Sequence, residues 1–238
     1  MKPHELAKAL EALYGNRLES VLLYGSAAGQ DFSKKFSDYN ILVVLKEPTM
    51  LGFADAAKII RQWTRRGYSS PLFFTSDDFR RSADIFPIEY LDMKHRHQLL
   101  AGTDPLEGII IHKHNLRHQC EFELRGKILT LKKMYLQLEH RPKKVMTAVA
   151  ETLPGFVAVF RGILHLIDGT PAPSTREVIE QLATLISFQP QIFFDLLDLR
   201  EGKKRVPCGH DVRSFFERYL TELTSITSYV DAFHQEVT

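Results

Sequence analysis

Gly25, Ser26, Asp38 and Asn40 are the residues whose types and spacing could do chemistry in this chain. A glycine lets the backbone approach a phosphate closely, because no side chain stands in the way. Ser26 offers both a hydroxyl and a backbone N–H to an anion. Carboxylate and amide oxygens, as in Asp38 and Asn40, are ligands that Mg²⁺ accepts together with water and substrate phosphates. The four residues predict a site for a triphosphate and a divalent cation.

Two apolar strands must position these residues. Residues 21–24 form an apolar run that ends at Gly25, and residues 41–45 form a second run that reads as a strand buried on both faces. Because side chains alternate along a strand, Asp38 and Asn40 are expected to point to the same side. Gly25-Ser26 alone would be an ordinary strand-to-helix turn, and Asp38 alone would be an ordinary turn residue. Their combination with the second strand favours a ligand site.

The rest of the N-terminal half alternates between helix and strand, which favours a small α/β domain. The pattern predicts a helix over residues 3–14, a helix over 53–66, a third strand over 71–75 and a short helix capped at Ser76.

The pattern beyond residue 116 predicts helices only, packed as an antiparallel bundle. Pro154-Gly155 is expected to kink or divide the second of them. Ser174 and Glu177 have the spacing of a capping box. The predicted helices cover residues 117–139, 143–168, 175–186, 190–200 and 211–234.

The segment from Val21 to Leu45 resembles the nucleotidyltransferase superfamily typified by DNA polymerase beta, kanamycin nucleotidyltransferase and the MNT domains. That family has an apolar strand, Gly-Ser, a loop of about a dozen residues, and then Asp-x-Asp or Asp-x-Glu at the head of another apolar strand. Gly25, Ser26, Asp38 and both apolar runs match, whereas Asn40 replaces the second acid. The resemblance covers roughly residues 5–110, and the helical half is similar to the C-terminal bundle of the kanamycin type.

This resemblance implies an α/β (α+β) nucleotidyltransferase-like N-terminal domain with a small mixed sheet over residues 1–115, followed by an all-α helical bundle over residues 116–238. It also implies Mg²⁺ or Mn²⁺ together with a nucleoside triphosphate (NTP). Gly25 and Ser26 would bind the nucleotide phosphates, and Asp38 and Asn40 would bind the metal and take part in catalysis.

The resemblance also implies further acids. The family carries a third carboxylate on a neighbouring strand, but residues 68–75 contain no acid, so Glu89 or Asp92 would have to substitute. Kanamycin-type relatives use an acid from the bundle to activate the acceptor hydroxyl, and this chain offers three candidates there: Glu121, Glu123 and Glu151.

Three functions stay open at this point. One is transfer of a nucleoside monophosphate from an NTP to a hydroxyl of a small molecule, an RNA or a protein. Another is a catalytically impaired, nucleotide-binding regulatory module, and the third is an antitoxin-like partner-binding protein. Asn40 favours the last two, whereas Gly25, Ser26 and Asp38 favour the first two. A homodimer is compatible with each.

Composition indicates an ordinary globular protein. The formal net charge is +2, which argues neither for nor against nucleic acid, and the two cysteines indicate neither a disulfide framework nor a zinc site. We expect no membrane-spanning segment, no signal peptide and a cytoplasmic protein. The pairs His95/His97 and His112/His114 have the spacing of zinc ligands, but no nearby acid or cysteine completes either pair, so we expect surface histidines.

Overall fold

The structure is a computed structural model that describes residues 1–28, 39–47, 50–167, 169–203 and 210–233, without the side chains of Ser26, residues 50–53 and His210. Asp38, a predicted metal ligand, lies outside the described residues. The chain divides into two compact units, Met1–His112 and Lys113–Thr238.

The N-terminal unit contains a four-stranded sheet and four α-helices among its described residues. In chain order these elements are α1 (Pro3–Tyr14), β1 (Leu18–Tyr24), β2 (Asn40–Leu45), α2 (Met50–Thr64), β3 (Leu72–Thr75), α3 (Ser76–Arg81), α4 (Pro87–His95) and β4 (His97–Gly102).

The strand order is β3-β2-β1-β4. β1 pairs antiparallel with both β2 and β4, whereas β2 and β3 run parallel. The sheet is therefore mixed, and together with the helical unit that follows it confirms the predicted fold class. β1 and β2 lie in the middle of the sheet, which explains why their sequences are almost continuously apolar.

Each face of the sheet has its own apolar core. Val21 and Val43 point to the face that also contains the buried side chains of α1 and α2. Leu22 and Leu42 point to the opposite face, where Phe79 of α3 and residues of α4 pack against them. The alternation along β1 and β2 thus assigns every side chain near the predicted site to one of two faces.

Two elements of this unit are not predicted by the sequence, and one predicted helix cap needs correction. The sequence predicts neither α4 nor β4, because α4 begins at Pro87 without a clear apolar period and β4 exposes Gln98 and Leu99. The cap of α3 is Thr75 instead of Ser76, since the Thr75 hydroxyl accepts a hydrogen bond from the backbone N–H of Asp78 at 3.1 Å. Because a strand can end in a capping residue, the boundary moves by one position.

The C-terminal unit is all α in its described part, as predicted. Its helices are α5 (Lys113–Leu138), α6 (Pro142–Leu166), α7 (Thr175–Leu185), α8 (Gln191–Arg200) and α9 (His210–Ala232). The capping box at the start of α7 forms as predicted, because Ser174 and Glu177 each bind the backbone N–H of the other. Pro154 lies inside α6 and does not divide it.

α6 is the helix with the most extensive burial in this unit. By length and composition it is apolar enough to cross a membrane, contrary to the prediction that no segment reaches that length. However, 56% of the apolar window is buried inside the protein. We therefore interpret α6 as the core helix of the bundle, which needs apolar residues on most of its circumference.

Candidate nucleotide site

Gly25 ends β1 in a conformation that suits glycine. Its φ is +77°, in the left-handed region that side chains rarely adopt. A Cβ at this position would lie 3.0 Å from the side-chain nitrogen of Asn40. The backbone N–H of Gly25 donates a 2.9 Å hydrogen bond to the carbonyl of Arg96. The hydrogen bond to Arg96 therefore holds the glycine turn in place. The side of Gly25 on which a Cβ would lie faces Asn40.

Tyr39 determines which way Asn40 points. The Tyr39 ring packs against Trp63 and Tyr68, with centroid distances of 6.1 and 5.1 Å. Trp63 is fully buried, and its indole N–H donates a 2.8 Å hydrogen bond to the carbonyl of Ser69. Since Tyr39 belongs to the face of α1 and α2, the next residue, Asn40, belongs to the face of α3 and α4.

Asn40, Tyr24 and His97 form a polar row across three strands at one end of the sheet. Tyr24 pairs with Asn40 on β2 and with His97 on β4. Directly paired residues of antiparallel strands have their side chains on the same face. The row therefore lies on the side of the sheet that carries α4, next to the Gly25 turn. The sequence pattern indicates a role for Asn40 but none for Tyr24.

Two carboxylates of α4 influence the pKa of Tyr24, the middle residue of this row. Burial raises the pKa of the Tyr24 phenol, and the negative charges of Asp92 and Glu89 raise it further. Glu89 lies in the first turn of α4 and is exposed. The acids that the sequence offers as substitutes for a third carboxylate are thus close enough to Tyr24 to perturb its titration. They create a negative potential beside Asn40.

Arg96 connects the glycine turn to α4. Its carbonyl accepts the hydrogen bond from Gly25, and its guanidinium forms an ion pair with Asp92. Both side chains of this pair are mostly buried. The spacing of four residues between Asp92 and Arg96 is the one signal in the sequence that could have indicated the pair. Because Asp92 is neutralised in this way, it is a poor candidate for a metal ligand.

His97 has a structural role that corrects the prediction of a surface histidine. One ring nitrogen lies 2.8 Å from the carbonyl of Met93, and the other lies 3.1 Å from the Asp104 carboxylate. Asp104 also accepts a hydrogen bond from the N–H of Leu106 at 2.9 Å. His95 ends α4 whereas His97 begins β4, so the two do not form the strand pair that zinc would need.

The remaining site predictions have mixed outcomes. Ser26 lies in a short 3₁₀ turn over Gly25–Ala28, and its side chain is outside the described residues, as is Asp38. β3 carries no acid, as the sequence predicts. Among the described residues, no three His, Cys, Asp or Glu side chains cluster as a complete metal site. The sequence offers Asp38, Asn40 and Glu89 as metal ligands, and of these Asp38 lies outside the described residues.

The three candidate acids of the bundle differ in their partners. Glu121 accepts hydrogen bonds from Arg125 at 2.7 Å and Arg117 at 3.1 Å, and the first of these is the main cause that lowers its pKa. A carboxylate held in this way is a weak base. Glu123 forms an ion pair with Lys127 at 2.8 Å. Glu151 is exposed and shares with Glu123 a groove of about 490 Å³ between α5 and α6.

Comparison with solved structures identifies a protein of the same fold. The chain is similar to the crystal structure of spectinomycin adenyltransferase AAD(9) from Enterococcus faecialis with ATP and spectinomycin. The TM-score is 0.57 at 13% sequence identity, over 92% of this chain and 97% of the other. The protein has a nucleotidyltransferase fold. At this identity the likeness establishes the fold alone. No family model matches the sequence, and neither does any curated protein.

Proposed function

We propose that the protein binds a nucleoside triphosphate together with a divalent cation where β1 ends and β2 begins. The observation that carries this proposal is the position of the Asn40 side chain at the Gly25 turn: a Cβ added to Gly25, whose φ is +77°, would lie 3.0 Å from the Asn40 amide nitrogen. It lies in a fold that this chain shares over most of its length with an adenyltransferase whose crystal structure contains ATP. A glycine in the left-handed conformation leaves its backbone open to a phosphate, and a neighbouring amide side chain offers an oxygen to the cation.

The residues present fit the proposed ligands. The open backbone at Gly25 and the hydroxyl of Ser26 would contact the phosphates. The oxygens of Asp38 and Asn40 would hold Mg²⁺ or Mn²⁺, which neutralises charge on the phosphates when it is bound. Burial is the main cause of the raised pKa of Tyr24, and the carboxylates of α4 raise it further; of these, the negative charge of Glu89 favours a cation at this end of the sheet.

Nucleotidyl transfer is the activity that follows from this assignment. A nucleoside monophosphate would move from the NTP to a hydroxyl of an acceptor, which could be a small molecule, an RNA or a protein. Glu89, in the first turn of α4, would supply the missing carboxylate. We place this activity in the cytoplasm.

A second candidate is a regulatory module that binds the nucleotide without transferring it. It is favoured by Asn40, which removes a negative charge from the site, and by the absence of an acid from β3. Two-metal phosphoryl chemistry relies on carboxylates that hold both ions, so each missing acid weakens catalysis more than binding. Pyrophosphate release in the presence of NTP, Mg²⁺ and candidate acceptors distinguishes the two functions.

Calorimetric titration tests the binding itself. The wild-type protein is titrated with each NTP in the presence of Mg²⁺ and again in the presence of a chelator. We expect binding that requires Mg²⁺ and that falls at least roughly tenfold in Asp38→Ala, because the variant loses the only full negative charge in the motif.

Asp77→Ala provides the matched control. Asp77 is an exposed acid at the start of α3, which follows the end of β3 that is remote from Asn40. Its removal should leave NTP affinity unchanged. Absence of binding for all NTPs, or equal loss in both variants, would contradict the proposed function.

A further inference from the structure

Asp92 and Arg96 make two contacts with each other at the end of α4. The backbone N–H of Arg96 donates a 3.0 Å hydrogen bond to the Asp92 carbonyl, and the Arg96 guanidinium forms an ion pair with the Asp92 carboxylate. The two side chains are only 28% and 19% exposed, so water and salt screen this pair less than an ordinary surface pair. Together the two contacts fix the conformation in which the chain leaves α4.

The carbonyl of Arg96 in turn holds the Gly25 turn. It accepts the 2.9 Å hydrogen bond from the Gly25 N–H, directly beside the place where Tyr24 pairs with His97 in the sheet. Gly25 has φ +77°, and a glycine without a restraint samples more backbone conformations than any other residue. The position of the turn thus depends on one carbonyl, and the position of that carbonyl depends on the ion pair with Asp92.

His97 restrains the next residue of the chain independently of this ion pair. Its ring lies 2.8 Å from the carbonyl of Met93 and 3.1 Å from the carboxylate of Asp104. Both contacts remain when the side chain of Asp92 or Arg96 is removed, so β4 keeps its anchor and its pairing with β1. Loss of the ion pair should therefore loosen the Gly25 turn without unfolding the sheet.

We propose that Arg96 is a positioning residue for the nucleoside triphosphate. Its ion pair with Asp92 holds the carbonyl that orders the Gly25 turn, and the ordered turn presents its open backbone to the phosphates. A turn that is ordered before the ligand arrives saves the free energy of ordering it during binding. This inference rests on the proposed function, because it assigns a role at the same site.

The opposite charges of the pair distinguish positioning from direct contact with the ligand. If the Arg96 guanidinium bound the phosphates directly, loss of Arg96 would weaken NTP binding, whereas loss of Asp92 would remove a repelling charge and strengthen it. If Asp92 bound the cation directly, the two effects would be reversed. Positioning through the ion pair instead predicts that loss of either residue weakens NTP binding.

Calorimetric titration with each NTP and Mg²⁺ tests this prediction in Arg96→Ala, in Asp92→Ala and in the double variant. We expect the dissociation constant to rise at least roughly fivefold in each single variant and no further in the double variant, because either substitution alone removes the pair. Arg176→Ala is the control, since it removes a partly buried ion pair with Asp198 between α7 and α8. It should leave NTP affinity unchanged, and circular dichroism should show that all variants fold.

Hydrogen exchange of the Gly25 amide, followed by NMR without any nucleotide, tests the order of the turn itself. We expect this amide to exchange at least roughly tenfold faster in Arg96→Ala and in Asp92→Ala than in the wild type, because local opening becomes more frequent. The amide of Leu22, buried in the middle of β1, is the internal control and should keep its protection.

Opposite effects of Arg96→Ala and Asp92→Ala on NTP affinity would overturn the positioning role. So would unchanged affinity in both variants, or unchanged exchange of the Gly25 amide. Each of these results requires or allows a wild type that binds NTP, so each would leave the proposed function in place. Absence of NTP binding by the wild type would instead contradict the proposed function, and the positioning role with it.

Discussion

Asn40 occupies a position where a carboxylate would give the site a second negative charge, and its amide nitrogen side faces the open side of Gly25. An amide oxygen can ligate a cation, so the substitution is compatible with binding. Its effect on catalysis is larger, because the charge that an acid would supply stabilises the transferring phosphoryl group through the metal. The chemistry of the site therefore depends on this residue more than on any other described side chain.

Replacing Asn40 with an acid tests how far cation binding and catalysis depend on the charge at this position. In Asn40→Asp we expect Mg²⁺-dependent NTP affinity to rise at least roughly tenfold, about 1.4 kcal/mol, because a carboxylate binds the cation more strongly than an amide does. Pyrophosphate release should be faster than in the wild type. The measurements are calorimetric titration and a coupled pyrophosphate assay. Unchanged affinity would show that residue 40 does not face the cation.

Gly25→Ala separates backbone strain from ligand contact. A residue with a Cβ at φ +77° is strained by about 1 kcal/mol, and the new methyl would press on the Asn40 amide. We expect destabilisation in urea unfolding together with loss of NTP binding. Gly67→Ala is the control, because Gly67 has φ +87° but open space around its Cβ position. It should lose similar stability and keep NTP affinity; equal loss of affinity in both variants would contradict the account.

At the scale of elements, β1 and β2 are predictable from sequence because they are central strands and therefore apolar throughout. The helices α1, α5 and α7 are predictable from their apolar periodicity or their capping residues. α4 and β4 are not, because β4 is an edge strand with exposed side chains and α4 shows no period that the sequence makes visible. The contributions of Arg96 and His97 to the site were missed for the same reason, since both lie at the α4–β4 junction.

Trp63 holds the element that carries Asn40. It contacts Tyr39 and Tyr68 and donates to the Ser69 carbonyl at 2.8 Å. We expect Trp63→Phe to lower the free energy of unfolding by about 2 kcal/mol, because the hydrogen bond and part of the packing are lost. Urea unfolding should be followed by circular dichroism, since Trp63 is the single tryptophan of the chain. A stability equal to that of the wild type would contradict this role.

Gly102 fixes the pairing of β4 with β1. It has φ +79°, and a Cβ there would lie 2.0 Å from the backbone oxygen of Glu19. Since backbone cannot move aside as a flexible side chain can, we expect Gly102→Ala to cost more than about 3 kcal/mol. Gly108→Ala, with φ +76° and open space, should cost about 1 kcal/mol. Similar losses in urea unfolding for the two variants would show that β1 and β4 are not in this register.

At the scale of the whole molecule, the fold class can be predicted from sequence. The N-terminal half alternates between strand and helix patterns, whereas the C-terminal half has helical patterns only. The two compact units divide after His112. The nucleotide site could be predicted in part, since Gly25 and Asn40 are local in sequence. The α4 carboxylates and the Arg96 anchor depend on packing and burial, and these are properties of the folded chain.

Photolabelling with an NTP that carries a photoreactive group on its γ-phosphate tests the central claim most directly. We expect labelling that requires Mg²⁺, that unmodified NTP suppresses, and that mass spectrometry locates between residues 18 and 45. Labelling that is indifferent to Mg²⁺ and to competing NTP, or that is confined to the helical unit, would contradict it.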